Sequence, residues 1–342
     1  MITILEEPFD YTGTHGRNIL TVQSDNTDVN RYLLKVMHNG NIVGQQYITA
    51  YDNIAIFVLR GVLSSVLKDH MELFTSLAIG NATSRPVTNH SKLVDLVVEG
   101  IDDEGQFIIG ETITREDLRI IKAVYTNYYE LWSTNYDTYL AYDDTIKIRH
   151  CFKNQYIPIT FYSKQLNRSV LINGNSIGSF PTTNGYAVAL YRENMPNQVN
   201  TLSIGGSVYP DEFQIIVDDK CYPRTKTLYF LNKFGGWEWY NFIDYEVTER
   251  ADKSQHTVYK NPYGDRDIYQ YIDSSIKELK LWGREGVSDY ITYLKEIVNS
   301  PIIYDELGNR VRVVDDNIMI DAQGIIQPEI TIRYIQDYTI NY

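Results

Sequence analysis

The chain has little of what reaction centres are usually built from. Its 342 residues include only two cysteines, Cys151 and Cys221, and six histidines. Two cysteines without paired spacing exclude a disulfide framework and a thiolate metal site, and they fit a protein made in a reducing compartment. None of the histidines, His15, His38, His70, His90, His150 and His256, lies in a His-x-x-x-His or Cys-x-x-Cys context, and no Gly-x-Ser-x-Gly elbow occurs. No segment approaches the roughly 20 apolar residues of a membrane span. The opening residues Met1 to Glu7 have no basic n-region, so neither a membrane nor a usual secretion route is expected. Long basic runs are missing as well. With a net charge of -13 spread along the chain, the electrostatic footprint of a nucleic-acid binder is absent.

What the chain does have is aromatic and aliphatic side chains. Hydrophobic residues make up 43% of it, ample for packed cores, and 29 tyrosines are the compositional outlier. Tyrosine favours strands, buries a large area and carries a hydroxyl that tolerates a half-wet surface, as at subunit interfaces. Dispersed acidic charge keeps such a surface soluble before assembly.

Strand and turn signals dominate from the start. Tyr32 to Met37 and Ile42 to Ile48 flank the Asn39-Gly40 turn and predict a hairpin; Leu93 to Val98 and Gln106 to Ile109 flank Asp102 to Gly105 and predict another. Between them Ile56 to Leu67 has helix-like apolar spacing interrupted by Gly61. Residues 1–122 are expected to form one β-sandwich domain. Short strands at Ile146 to Phe152, Ile157 to Tyr162, Ser169 to Ile172, Ala187 to Tyr191, Thr201 to Ile204 and Phe213 to Val217 predict a second sandwich over 123–250. The polar stretch Glu249 to His256 is expected to be a linker. In 251–342 a small α+β domain is expected, with a helix capped by Ser288 and stopped at Ser300-Pro301. Tyr290, Ile291, Leu294, Ile297 and Val298 share its apolar face, while Lys295 and Glu296 are expected on the free face. The fold class is thus mainly β: tandem Ig/Fn3-like sandwiches followed by a small α+β domain.

The densest aromatic segment closes the second block. Thr227 to Asn232 leads through Lys233-Phe-Gly-Gly236 into Trp237-Glu-Trp-Tyr-Asn-Phe242. Alternation turns Trp237 and Trp239 to one face, Tyr240 and Phe242 to the other. Both faces need cover, in a sandwich centre or against a neighbouring subunit.

Groups that could carry chemistry do not converge. His150 and Cys151 are adjacent in a predicted strand and so point to opposite faces. Acid pairs at Asp102-Asp103, Asp143-Asp144, Asp218-Asp219 and Asp315-Asp316 fit turn acids at strand ends. Gly205-Gly206 and Gly235-Gly236 lack the Lys-Ser/Thr pair and helix of a phosphate loop. No cofactor and no metal are expected.

Leu231-Asn232 before Phe234-Gly235-Gly236-Trp237, then Tyr240-Asn241-Phe242, resembles the "LN-x-x-GG-aromatic" strand of structural proteins of tailed phages that infect Bacteroidetes, including crAss-like phages. Trp282-Gly-Arg-Glu285, Tyr293-Leu-Lys-Glu296 and Asn299-Ser300-Pro301-Ile-Ile-Tyr304 resemble the C-terminal "W-x-x-E, YL-x-E, SP-x-x-Y" stretch of such proteins, and Pro8-Phe-Asp-Tyr11 with Asn18 fits their Fn3-like first domain. The resemblance implies a non-enzymatic virion component of the tail or its connecting rings. Such a component is assembled as a cyclic homo-oligomer beside portal, adaptor or other tail proteins, and carries no enzymatic residues. The contact and packing residues expected are Trp237, Trp239, Tyr240, Phe242, Trp282, Lys295, Glu296, Tyr334, Tyr338 and Tyr342. A rival reading is a receptor- or carbohydrate-binding module, with Trp237 and Trp239 stacking on sugars.

Overall fold

The computed structural model describes residues 1–67, 76–87, 90–124, 138–142, 147–182, 185–205, 212–259, 266–284, 286–287, 290–320 and 325–334, with side chains described for all of these but 139, 250–276, 286–293 and 317–327. Ser288, Tyr338, Tyr342 and Asp143-Asp144 lie outside the described residues. The chain is mainly β, as expected from its pattern. It divides into two compact units, Met1–Asp219 with Phe230–Trp239, and Lys220–Tyr229 with Tyr240–Tyr342.

The first unit holds both sandwiches. A three-stranded sheet runs in the order β1 (Ile2–Glu6), β3 (Ile19–Ser24), β6 (Ile54–Val58); a five-stranded sheet runs β2 (Tyr11–Gly13), β9 (Phe107–Ile121), β8 (Ser91–Ile101), β4 (Arg31–His38), β5 (Asn41–Thr49). Their inner faces share one core, in which Leu20, Val22 and Phe57 of the smaller sheet meet Tyr32, Leu34, Val36, Leu96 and Ile120 of the larger. The β4–β5 turn is the expected one: Asn39 at φ 50° and Gly40 at φ 76° give the left-handed pair that a two-residue hairpin needs. Ile56 to Leu67 is only half helical. Ile54 to Val58 alternates and pairs with β3, and the helix spans Arg60–Val66. Period two wins over period 3.6 in the first half because a strand partner was at hand.

The second sandwich consists of a four-stranded sheet, β10 (Thr138–Leu140), β12 (Tyr156–Ser163), β15 (Tyr186–Arg192), β7 (Ala82–Arg85), and a five-stranded sheet, β11 (Ile148–Phe152), β17 (Glu212–Asp218), β16 (Val199–Ile204), β13 (Asn167–Ile172), β14 (Asn175–Pro181). Strand β7 comes from the first 122 residues yet pairs with β15, so a sequence cut at 122 separates a strand from its sheet. β12 and β15 are buried almost throughout, as a strand covered on both faces must be.

The second unit is built on an eight-stranded sheet ordered β19 (Trp237–Phe242), β18 (Lys226–Leu231), β23 (Ile303–Asp305), β24 (Arg310–Ile320), β25 (Ile325–Tyr334), β21 (Arg266–Trp282), β20 (Asp244–Tyr259), with β22 (Gly286–Val287) paired to β25; Phe230–Leu231 of β18 and Trp237–Trp239 of β19 count with the first unit. Glu249 to His256 is therefore strand, not linker. It lies inside β20 and pairs with β21 in a ladder from Asp244↔Trp282 to Tyr259↔Arg266. Backbone groups make that ladder, and polar composition does not report on them. Asp315-Asp316 likewise sits within β24, just after a register shift between Val313 and Asp315, rather than at a strand end.

The helix Tyr290–Asn299 is present, but its free face is narrower than expected. Leu294, Glu296 and Ile297 are buried, while Lys295 and Asn299 are exposed. At 100° per residue the exposed pair spans one short arc, and Glu296 falls outside it. Its burial, at 8% exposure, removes it from the expected contact surface.

Candidate functional site

From Asn232 to Trp237 the motif that carries the phage resemblance folds as a lock within the first unit. Asn232 is its centre. Its Nδ2 donates to the Ala141 carbonyl at 2.7 Å and to Glu238 Oε1 at 2.7 Å, while its Oδ1 accepts from the amides of Phe234 at 3.0 Å and Gly236 at 2.8 Å. Only a primary amide donates twice and accepts twice in this way; aspartate would lose both donors and add charge beside Glu238. Backbone bonds from Asn232 to the Gly236 carbonyl at 2.8 Å and from Gly235 to the Asn232 carbonyl at 3.0 Å complete the turn. Gly235 takes φ 80°. Gly236 is required for space instead: a Cβ there would lie 1.9 Å from the Ala141 oxygen.

The sandwich strands grip this turn with tyrosines. Tyr162 of β12 donates its hydroxyl to the Phe234 carbonyl at 2.7 Å, and Tyr186 of β15 donates to the Gly235 carbonyl at 2.5 Å, with the two rings 5.1 Å apart. Burial pushes the Tyr186 hydroxyl far above the ordinary tyrosine value, so it stays a donor. Thr160 Oγ1 accepts from the Trp237 amide at 2.9 Å, and Trp239 Nε1 donates to the His150 carbonyl at 2.7 Å. Trp237 stands edge-on to His90 at 5.7 Å. Both tryptophans are fully buried within the chain, which makes them packing residues and leaves no stacking platform there for a sugar.

Between the tryptophans lies a charge. Glu238, at 0% exposure, accepts from Arg149 Nε at 2.7 Å, and Arg149 is 2% exposed. The guanidinium also lies over the rings of Tyr142 at 5.6 Å and Phe213 at 5.3 Å. Burial first, and the Glu238 charge second, raise the Tyr142 hydroxyl well above its usual range. It donates to the Pro158 carbonyl at 2.6 Å. Sequence reasoning passed over Tyr162, Tyr186 and the Arg149–Glu238 pair. A glutamate between two tryptophans was the available signal, since buried carboxylates come with a partner. Arg149, next to His150 in the sequence, serves in this pairing.

A second polar cluster belongs to the second unit. The Asp305 side chain, at 0% exposure, accepts from Lys226 Nζ at 3.0 Å, Tyr334 Oη at 3.0 Å, Asn309 Nδ2 at 3.1 Å and the amides of Leu307 at 3.0 Å and Asn309 at 2.8 Å. Burial works against its charge, but the Asn309 and Lys226 hydrogen bonds prevail and hold its carboxyl below the ordinary 3.8. Lys226 also reaches Glu306 at 2.9 Å. There too burial opposes the charge; the bonds to Glu306 and Tyr334 outweigh it and raise the ammonium above 10.5. Tyr334 is thus a half-buried structural donor. Trp282 is half-buried, donating to Glu329 at 3.0 Å under Lys280, whose ammonium is 5.4 Å from its ring. Tyr240 packs edge-on against Phe242 at 4.8 Å. Of the expected contact residues among those described, only Lys295 is exposed.

Neither cluster presents a nucleophile with a base. Among the described residues no group of three His, Cys, Asp or Glu side chains could hold a metal ion. Cys151 is buried and Cys221 exposed.

No protein-family model matches the chain, and no curated protein matches it. It is similar to solved structures of low identity. These include the I9-I11 tandem from titin (9% identity, 82% of this chain and 94% of that one, TM-score 0.20). An alpha-2-macroglobulin of Salmonella also appears (7%, 96% and 29%, 0.21), as does the Bacteroides ovatus protein SGBP-B of a mixed-linkage glucan utilization locus (8%, 95% and 78%, 0.20). Likeness of this degree carries no inference about function.

Proposed function

We propose that this chain is a structural protein of a bacteriophage virion, placed in the tail or a tail-connecting ring and assembled as a cyclic oligomer around the tail axis. The observation that supports the reading is how the shared motif is used. Asn232, Gly235, Gly236 and Trp237, the residues of the resemblance, all serve to fix a turn against sandwich strands. A motif spent on architecture suits a protein whose task is to hold neighbours in place.

A closed ring needs two different faces that meet. One candidate is the outer face of the three-stranded sheet, where Leu5, Ile56 and Val58 are each more than half exposed at 54%, 55% and 56%. Outer sandwich faces are normally polar, and exposed aliphatic clusters mark contact surfaces. Mass spectrometry of purified particles should find the protein at stoichiometric level, and electron microscopy should place it as a ring on the tail axis. Its absence from purified virions overturns the proposal.

A further inference from the structure

Among the described residues the β20–β21 ribbon has a free edge: β20 pairs with β21 alone, and β21 meets β25 only over Glu278 to Trp282. From Arg250↔Ile276 to Tyr259↔Arg266, each strand of the ribbon therefore has one partner among those residues. Ten residues at about 3.3 Å each extend roughly 33 Å. An isolated two-stranded ribbon is marginal in water, and an uncovered edge templates further pairing.

From the order of charges along β20 we infer that this edge pairs antiparallel with β20 of a second copy of the chain. Glu249-Arg250-Ala251-Asp252-Lys253 is antisymmetric in charge about Ala251. With a two-fold axis at Ala251, Arg250 of each copy stands opposite Asp252 of the other, and Glu249 opposite Lys253. Further out, Thr248 faces Ser254 and Glu246 faces His256. Opposite charges directly across a ladder stabilise it, and like charges destabilise it. Every pairing in this register joins positions of equal parity, which an antiparallel pair of identical edges requires. The register shift in the ribbon, between Asp252↔Ser274 and Lys253↔Ile272, puts the additional residue on β21. β20 is therefore regular through the centre. The net charge of -13 repels copies from each other. The ribbon carries none of that excess: Arg250, Lys253 and Arg266 balance Asp252, Asp267 and Asp273. The contact is isologous and makes pairs of copies. It stands on the ladder and the charge order, independently of the virion reading.

The test uses the full chain carrying Cys221→Ser. In this register an Ala251→Cys variant brings the two Cα atoms to about 4.5–5.5 Å, inside the disulfide range of about 4.4–6.8 Å. A Val258→Cys control leaves them roughly 46 Å apart along the ladder. Mild oxidation should give a covalent dimer with the first and none with the second. Separately, Glu249→Lys should raise the dimer dissociation constant about tenfold by sedimentation, since two attractive pairs become repulsive. Adding Lys253→Glu should restore it. The inference is overturned by a monomer at all concentrations, by no cross-link at Ala251→Cys, by equal cross-linking at Val258→Cys, or by a double variant no better than the single one. Any of these leaves the particle experiment for the ring reading untouched.

Discussion

Replacing Gly236 with alanine would place a Cβ 1.9 Å from the Ala141 oxygen, 2.9 Å from its carbon and 3.0 Å from Asn232 Nδ2. The two nearest obstructing atoms are backbone, so no rotamer change relieves the clash, and either the turn or the chain at Ala141 must move. Overpacking of this kind costs about 1–3 kcal/mol. The shift also parts Asn232 from Ala141 and Glu238, and a buried acceptor left without its donor costs about 1–3 kcal/mol. A total of about 2–6 kcal/mol is a large fraction of the roughly 5–15 kcal/mol that holds a folded protein together. Gly61→Ala is the internal control. Gly61 lies in the helix Arg60–Val66 with nothing within 4 Å of an added Cβ and an ordinary φ. The same added methyl there should stabilise by about 0.5–1 kcal/mol, through helix propensity and a less flexible unfolded chain. Urea unfolding followed by tryptophan fluorescence reads the hairpin through Trp237 and Trp239. The Gly236→Ala midpoint should fall well below the parent, and that of Gly61→Ala should equal or exceed it. Equal midpoints for the two variants would refute the reasoning.

Two further outcomes follow from the buried charges. Glu238→Leu or Arg149→Met alone should cost about 3–5 kcal/mol, because each strands a buried charge, whereas the double replacement should recover most of that loss; denaturation of the three variants checks it, and additive losses would contradict it. The Lys226–Asp305 cluster should make stability depend on pH at both extremes. Asp305, held low, contributes stability above its ordinary 3.8 that is lost as acid titrates it below that value. Lys226, held high, contributes stability below 10.5 that is lost as pH rises through its folded value. Lys226→Met should flatten the alkaline limb of the melting-temperature profile.

The sequence by itself determined the mainly β class, the hairpins at Asn39-Gly40 and Gly235-Gly236, most of the short strands of the second sandwich, and the helix ahead of Ser300-Pro301. These rest on local terms: alternation, positive-φ turns and helical periodicity act within a few residues and leave a pattern in the chain. Only the tertiary structure decided the rest. β7 leaves its sequence neighbours for β15, and no local preference names a strand's partner. Glu249 to His256 is strand because β21 lies beside it, whatever its polarity. Trp237 and Trp239 could have met a neighbour or a core; Tyr162, Tyr186 and Thr160, distant in sequence, bring the acceptors and donors that bury them. A single-stripe reading of its helix puts Glu296 on the free face, whereas the fold buries it. Asn232 appears in the sequence as half of a motif; of the four hydrogen bonds that require an amide there, the hairpin supplies those with Phe234, Gly236 and Glu238, and the tertiary fold brings the Ala141 carbonyl.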